Sequence, residues 1–164
     1  MGRGDGSKKP KSNPPELPRW AVMAQRFYDQ AIVDLEAARE NMRPRLYHVT
    51  VFYSAQAAEK GVKAAYWHLM AEEPKWTHKS DQLASVVAER VGSIPGNVGQ
   101  AISELLSLQE NARYPSSHIE IPIPAELFDE TAAKMAVDQA LEILTWVESL
   151  LRLPTGKPKR KKSC

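Results

Sequence analysis

The sequence predicts an all-α protein: an up-and-down helical bundle of four long helices plus one short helix. Three observations lead there. Between residues 20 and 152 six prolines (Pro44, Pro74, Pro95, Pro115, Pro122, Pro124) divide the chain. Proline lacks an N–H and clashes with the preceding turn, so helices fall between prolines rather than across them. The segments so defined carry apolar residues at steps of three or four, the period of a helix with one buried face. No strand-rich segment remains, and no internal repeat of solenoid length is visible.

The first helix is expected from Pro18 to Met42. Trp20, Ala24, Phe27, Ala31, Leu35, Ala38 and Met42 form its apolar stripe, opposite Arg26, Asp29, Glu36 and Glu40. The second is expected from about Arg45 to Ala71 and is apolar on two sides. Leu46, Val49, Tyr53, Ala57, Ala64 and Trp67 lie in one direction, and Val51, Ala55, Ala58, Val62, Ala65 and Leu69 in another. Such a helix packs between neighbours. A short third helix begins near Ser80 or Asp81, either of which caps an N-terminus, and stops near Gly92. A fourth is expected from Pro95 to Arg113. A fifth follows Pro124 and reaches about Leu153. The segment from Tyr114 to Pro124 reads as an extended connector, because residues before proline are pushed to extended geometry. Its Ile119, Ile121 and Ile123 are expected to press against the bundle.

Charge divides the chain into three parts. Residues 1–19 hold five basic and two acidic groups, and residues 153–164 hold five basic groups and no acidic one. The part between them holds 12 basic and 18 acidic groups. The expected organisation is a disordered basic tail (1–19), a bundle (20–152) and a second disordered basic tail (153–164). Such tails hold nucleic acid or an acidic surface loosely, or serve solubility alone. The single cysteine, Cys164, excludes an internal disulfide and a cysteine-built zinc cage. No apolar run reaches the roughly 18 residues of a membrane helix, and the N-terminal stretch lacks the apolar core of a signal peptide. A cytoplasmic protein with no membrane contact is the expectation.

Three groups of residues carry candidate chemistry. Gln56, Glu59, Lys60 and Lys63 share one arc of the second helix, with Glu59 and Lys63 in the favourable ion-pair order. They form either a solvent-facing stripe or a polar seam toward a partner or a nucleotide. His78, in Thr77-His78-Lys79, reads as a structural histidine bonding its own loop. Arg113-Tyr114-Pro115-Ser116-Ser117-His118 is the most chemical. An arginine fork grips phosphate, and a histidine titrating near neutrality moves protons. Together they suffice for metal-free RNA cleavage, with imidazole acting on a ribose 2′-hydroxyl and guanidinium on the phosphate. Alternatively Arg113 is buried structurally against Glu59 or Asp34. Phosphate-loop, dinucleotide, zinc-protease and nucleophile-elbow motifs are all absent from the sequence.

These blocks, taken in order, resemble the HEPN domain (higher eukaryotes and prokaryotes nucleotide-binding), in its Arg-Tyr-Pro subgroup. The matching stretches are Ala31–Ala38, Tyr53–Ala64 with its Gln56-Ala57-Ala58-Glu59-Lys60 core, Thr77-His78 with Leu83, and Ala112-Arg113-Tyr114-Pro115. The resemblance covers roughly residues 20–150. It implies a homodimer without cofactor or metal, and two functional branches. One comprises metal-independent endoribonucleases of toxin–antitoxin or defence systems, in which Arg113 and His118 would be the catalytic pair. The other binds nucleotide, RNA or a small nucleotidyltransferase partner without turnover. There Lys60, Lys63 and Arg113 would contact phosphate, supported by Gln56, Glu59, Asp34, His78 and Tyr114. The residue after the arginine departs from the ribonuclease pattern, which favours a polar side chain where Tyr114 stands.

Overall fold

The structure, a computed structural model, describes residues 16–75 and 80–155. It is all-helical over those residues. The elements are α1 (Arg19–Met42), α2 (Tyr47–Met70), α3 (Ser80–Val91), α4 (Gly96–Leu108), α5 (Pro124–Leu127) and α6 (Glu130–Leu151). The sequence-derived tails lie largely outside the described residues, as does His78.

Helix α1 buries the stripe Ala24, Ala31, Leu35 and Ala38, together with Asp34. A tight corner follows. Leu46 N–H donates to Asn41 O at 3.0 Å, and Arg45 takes a left-handed backbone (φ 59°). The chain then reverses into α2, as in an αα-hairpin. Thr50, fully buried, closes the corner by donating from Oγ1 to Ala38 O at 3.1 Å.

Helix α2 is the axis of the bundle and touches each of the other five helices. Its two apolar faces are the reason. Val51, Ala55, Ala58, Val62 and Ala65 are fully buried, as are Ala57 and Ala64 on the other side. Gly61 faces α6, where a Cβ in its place would meet Leu144, Val147 and Ile143. The helix ends where Ala71 turns left-handed (φ 53°) and its N–H returns to Trp67 O at 3.1 Å. A left-handed terminal residue of this kind is a common helix stop.

Three expectations need correction. The fourth helix ends at Leu108, five residues before Arg113. Bonds from Arg113 N–H and Tyr114 N–H both return to Glu110 O, at 3.0 and 2.9 Å. The chain therefore tightens into turns, and Pro115 prevents helix from resuming at Tyr114. The fifth helix is two helices. Phe128 is buried in an extended conformation, and Asp129 caps α6 by accepting from Ala132 N–H at 2.8 Å. The connector is not extended throughout, because Ile121 N–H donates to His118 O at 3.1 Å and closes a turn. Its three isoleucines are exposed rather than pressed on the bundle.

Candidate functional site

The polar arc of α2 lies between α1 and the end of α4, and it is mostly covered. Helical spacing puts Gln56, Glu59, Lys60 and Lys63 on one side. Asp34 approaches from α1 with 5% of its surface exposed. Lys60 Nζ donates to Asp34 Oδ2 at 2.5 Å and to Gln56 Oε1 at 2.9 Å. Gln30, one turn before Asp34 on α1, donates to Asp34 Oδ1 at 3.0 Å. Glu59 accepts from Lys63 at 2.5 Å, from Gln56 at 3.5 Å and from Gln109 at 2.8 Å. The result is one connected network across α1, α2 and the end of α4.

The network is charge-balanced, with two ammoniums facing two carboxylates. Each buried charge thus has both a counter-ion and a hydrogen-bond partner, the condition under which burial is tolerated. Burial pushes the Glu59 carboxyl up. Hydrogen bonds from Lys63 and Gln109, with the charges of Lys63 and Lys60, outweigh that and hold it below its ordinary value. The carboxylate stays ionised, and the ion pair with Lys63 persists at neutral pH.

Two of the expected phosphate ligands, Lys60 and Lys63, are therefore already engaged by carboxylates. The expected pairing of Arg113 with Glu59 or Asp34 does not occur, because each acid is taken by a lysine of α2. Instead Arg113 is seated on aromatic rings. Its Cζ lies 4.9 Å from the Tyr114 ring centre and 5.9 Å from that of Phe52. Both distances suit a cation–π contact. Phe52 stands one helical turn before Gln56, so one side of α2 carries both the network and the arginine's seat. Arg113 is exposed and has no ion pair among the described residues.

His118 is placed differently. Its side chain is 70% exposed, with Nδ1 3.8 Å from the equally exposed Glu120 carboxylate. Its backbone N–H donates to Ser116 Oγ at 3.1 Å. No hydrogen bond joins His118 to Arg113 among the described residues. Supporting residues Gln56, Glu59 and Asp34 fall in the network, and Tyr114 falls against Arg113.

Sequence reasoning missed Gln30 and Gln109. A signal existed for Gln30, which lies four residues before Asp34 and so on the same face of α1; Gln109 lies just past the end of α4, where helical spacing gives none. Among the described residues no cluster of three or more His, Cys, Asp or Glu is arranged to hold a metal ion. No helix among them is long and apolar enough to cross a membrane.

Comparison with known proteins agrees with this architecture. The HEPN domain family profile matches residues 24–150. A crystal structure of TT1696 from Thermus thermophilus is similar with a TM-score of 0.68 and 28% identity, over 77% of this chain and 97% of that one. A crystal structure of ST0689, described as an archaeal HEPN homologue, is similar with a TM-score of 0.61 and 26% identity, over 79% of this chain and 98% of that one. No curated protein matches the sequence.

Proposed function

This chain belongs to the HEPN domain family, and on that premise we propose that its Arg113 turn is a phosphate-binding element for a nucleotide or RNA, carried by a homodimer. The observation that carries the reading is the state of Arg113. Its guanidinium is exposed, held against Tyr114 and Phe52, and unpaired with any carboxylate among the described residues. Lys60 and Lys63 differ, since both are engaged in ion pairs. A guanidinium fixed in place and free of a counter-ion suits bidentate capture of a phosphate. The polar network reaches the chain just before this turn, because Glu59 accepts from Gln109, four residues before Arg113.

The test is equilibrium binding of nucleotides and short RNA to wild type, Arg113→Lys and Arg113→Ala. Loss of the fork is expected to weaken binding about tenfold or more, as for charge-assisted hydrogen bonds of about 1.5–3 kcal/mol. Equal affinity of all three proteins would remove Arg113 from the site. Absence of binding by wild type would shift the reading to recognition of a protein partner, such as a small nucleotidyltransferase.

A second reading, metal-independent endoribonuclease, is favoured by one specific observation. The exposed imidazole of His118 sits on the same short connector as Arg113, with no more than a 3.8 Å contact to Glu120 engaging its ring among the described residues. In that reading His118 is the general acid–base and Arg113 stabilises charge on the phosphate. A positioned acid–base group contributes about 10²–10⁴ in rate. Cleavage of RNA in EDTA by wild type, reduced by that factor in His118→Ala, supports it. Absence of cleavage, or equal cleavage by both, refutes it.

A further inference from the structure

A groove between α3 and α4 adjoins the site just described. Its volume is about 600 Å³, within the range of small-molecule pockets. Ile94, Ile102 and Leu106 give it apolar walls, and no charged residue lines it. A phosphate would lose its hydration there without a counter-ion, whereas a flat neutral ring would bury its faces favourably. The polar part of the lining is hydroxyl, with the Gln109 amide where the groove reaches the end of α4.

Two of these polar groups have their hydrogen-bonding direction fixed. Gln109 Nε2 donates to Glu59 Oε2 at 2.8 Å. The Glu59 carboxylate can only accept, so the amide cannot turn over without setting oxygen against oxygen. Gln109 Oε1 is thereby held as an acceptor, and it has no partner among the described residues. Ser107 gives its hydroxyl hydrogen to Glu104 O at 2.7 Å, so it too can only accept from a ligand. This end of the groove calls for N–H donors on a neutral ring.

Arg113 lies a short way from that end. Bonds from Ala112 N–H to Leu108 O at 2.9 Å and from Arg113 N–H to Glu110 O at 3.0 Å wind the chain between Gln109 and Arg113 into turns. Their backbones therefore lie well within the roughly 14 Å that four extended residues span. We propose that the α3–α4 groove seats the base of the nucleotide whose phosphate Arg113 holds, and that Gln109 Oε1 selects bases with an exocyclic amino group. The inference rests on the phosphate-binding reading and adds to it which nucleotides bind. Adenine and cytosine carry an amino group where hypoxanthine and uracil carry a carbonyl oxygen, and that oxygen would meet Gln109 Oε1 as acceptor against acceptor.

The test is equilibrium titration of the full chain as wild type, Gln109→Leu, Ser103→Phe and Arg113→Ala. The ligands are the monophosphates of adenosine, inosine, cytidine and uridine, with ribose phosphate as the form without a base. Ser103 is exposed and lines the groove, so a phenyl ring there fills the groove without entering the core. Circular dichroism checks the helix content of each variant. Wild type is expected to bind the adenosine compound about fivefold or more tightly than the inosine one, and cytidine over uridine by a similar factor, because a site acceptor left unpaired is costly. Gln109→Leu is expected to abolish both preferences. Ser103→Phe is expected to bring the adenosine compound down to the affinity of ribose phosphate. Absence of the preferences in wild type, or their persistence in Gln109→Leu, overturns selection by Gln109. Binding of the adenosine compound that Ser103→Phe leaves unchanged overturns the groove as the seat of the base. Either result leaves the phosphate reading standing where Arg113→Ala still loses binding. Binding that is lost in Ser103→Phe but kept in Arg113→Ala overturns the phosphate reading and retains the groove. Absence of nucleotide binding by wild type overturns the inference, and the phosphate reading then rests on RNA alone.

Discussion

Gly61 of α2 lies so close to Leu144 of α6 that a Cβ built on it would fall 2.6 Å from Leu144 Cδ2. Leu144 is itself almost wholly buried, with Val147 Cγ2 3.6 Å from the same point. The leucine therefore has little room to move aside. Overpacking of this kind costs about 1–3 kcal/mol, while alanine in place of a mid-helix glycine returns up to about 1 kcal/mol of propensity. Gly61→Ala is expected to lose about 1 kcal/mol in urea unfolding, the difference between those two effects. Gly61→Val, with a larger branched side chain and no such propensity gain, is expected to lose clearly more. A Gly61→Val protein as stable as wild type would show that α2 and α6 separate freely.

The Asp34–Lys60 pair joins α1 to α2 in a largely buried setting. Removing one partner strands the other charge. Asp34→Leu is expected to destabilise by about 2 kcal/mol, below the roughly 3–5 kcal/mol usual for a fully buried pair, because Lys60 keeps some solvent and Gln56. Asp34→Leu with Lys60→Met is expected to recover most of that loss, since both charges then disappear. A double-mutant cycle measures the coupling directly. Additive losses would mean that the pair contributes no interaction of its own.

Asp129 separates α5 from α6 by capping. Replacing an N-cap aspartate by alanine costs about 0.5–2 kcal/mol. Asp129→Ala is expected to fall in that range, and Asp129→Asn to retain most of the stability. Thermal unfolding of the three proteins checks the order. Equal midpoints would show that Phe128 burial, rather than the cap, sets the boundary.

Helix positions are readable where burial follows the 3.6-residue period. The stripes of α1 and α6 and the two faces of α2 are fixed by apolar side chains that repeat; most are buried, while Trp20, Phe27, Met42, Val49 and Tyr53 are half-buried and Leu46, at the start of α2, is exposed. Helix ends are less readable. α4 stops at Leu108 through backbone bonds to Glu110 O that no local pattern announces, and Asp129 interrupts an otherwise helical run. The polar arc on α2 is legible, but its covering by Asp34 is not. That contact joins residues 26 positions apart, and their pairing depends on how two helices rotate against each other. The exposure of Ile119 is likewise beyond local reading, since the pattern does not show that the turn closed by Ile121 N–H and His118 O holds it away from the bundle.

The Glu59 carboxyl links acid stability to the network. Burial raises its pKa, but bonds from Lys63 and Gln109 and the charges of Lys63 and Lys60 lower it further, to a net value below the unfolded one. The folded state thus binds fewer protons there, and the stabilisation is complete above the ordinary carboxylate range. It is lost as pH falls toward the folded value. Glu59→Gln is expected to be less stable than wild type at neutral pH and to lose less on acidification from about pH 5 to pH 3. Urea midpoints across that range are the measurement. Parallel curves for the two proteins would show that Glu59 does not titrate differently on folding.

Arg113 depends on two rings for its position, and the rings are not equivalent. Tyr114 is its chain neighbour at 4.9 Å, whereas Phe52 belongs to α2 at 5.9 Å and ties the arginine to the bundle. An exposed cation–π contact is worth about 0.5–1 kcal/mol, which corresponds to a factor of about two to five in an equilibrium constant. Phe52→Leu keeps an apolar side chain at the position but removes the ring. It is expected to weaken phosphate-ligand binding by that factor with the fold intact. Tyr114→Leu is expected to weaken it at least as much, because the closer ring is lost. The two changes together are expected to approach Arg113→Ala, since an arginine with neither ring must be ordered by the ligand itself. Titration of one nucleotide against wild type and the four variants decides the matter. If Phe52→Leu and Tyr114→Leu bind as wild type while Arg113→Ala does not, the guanidinium acts without its aromatic seat.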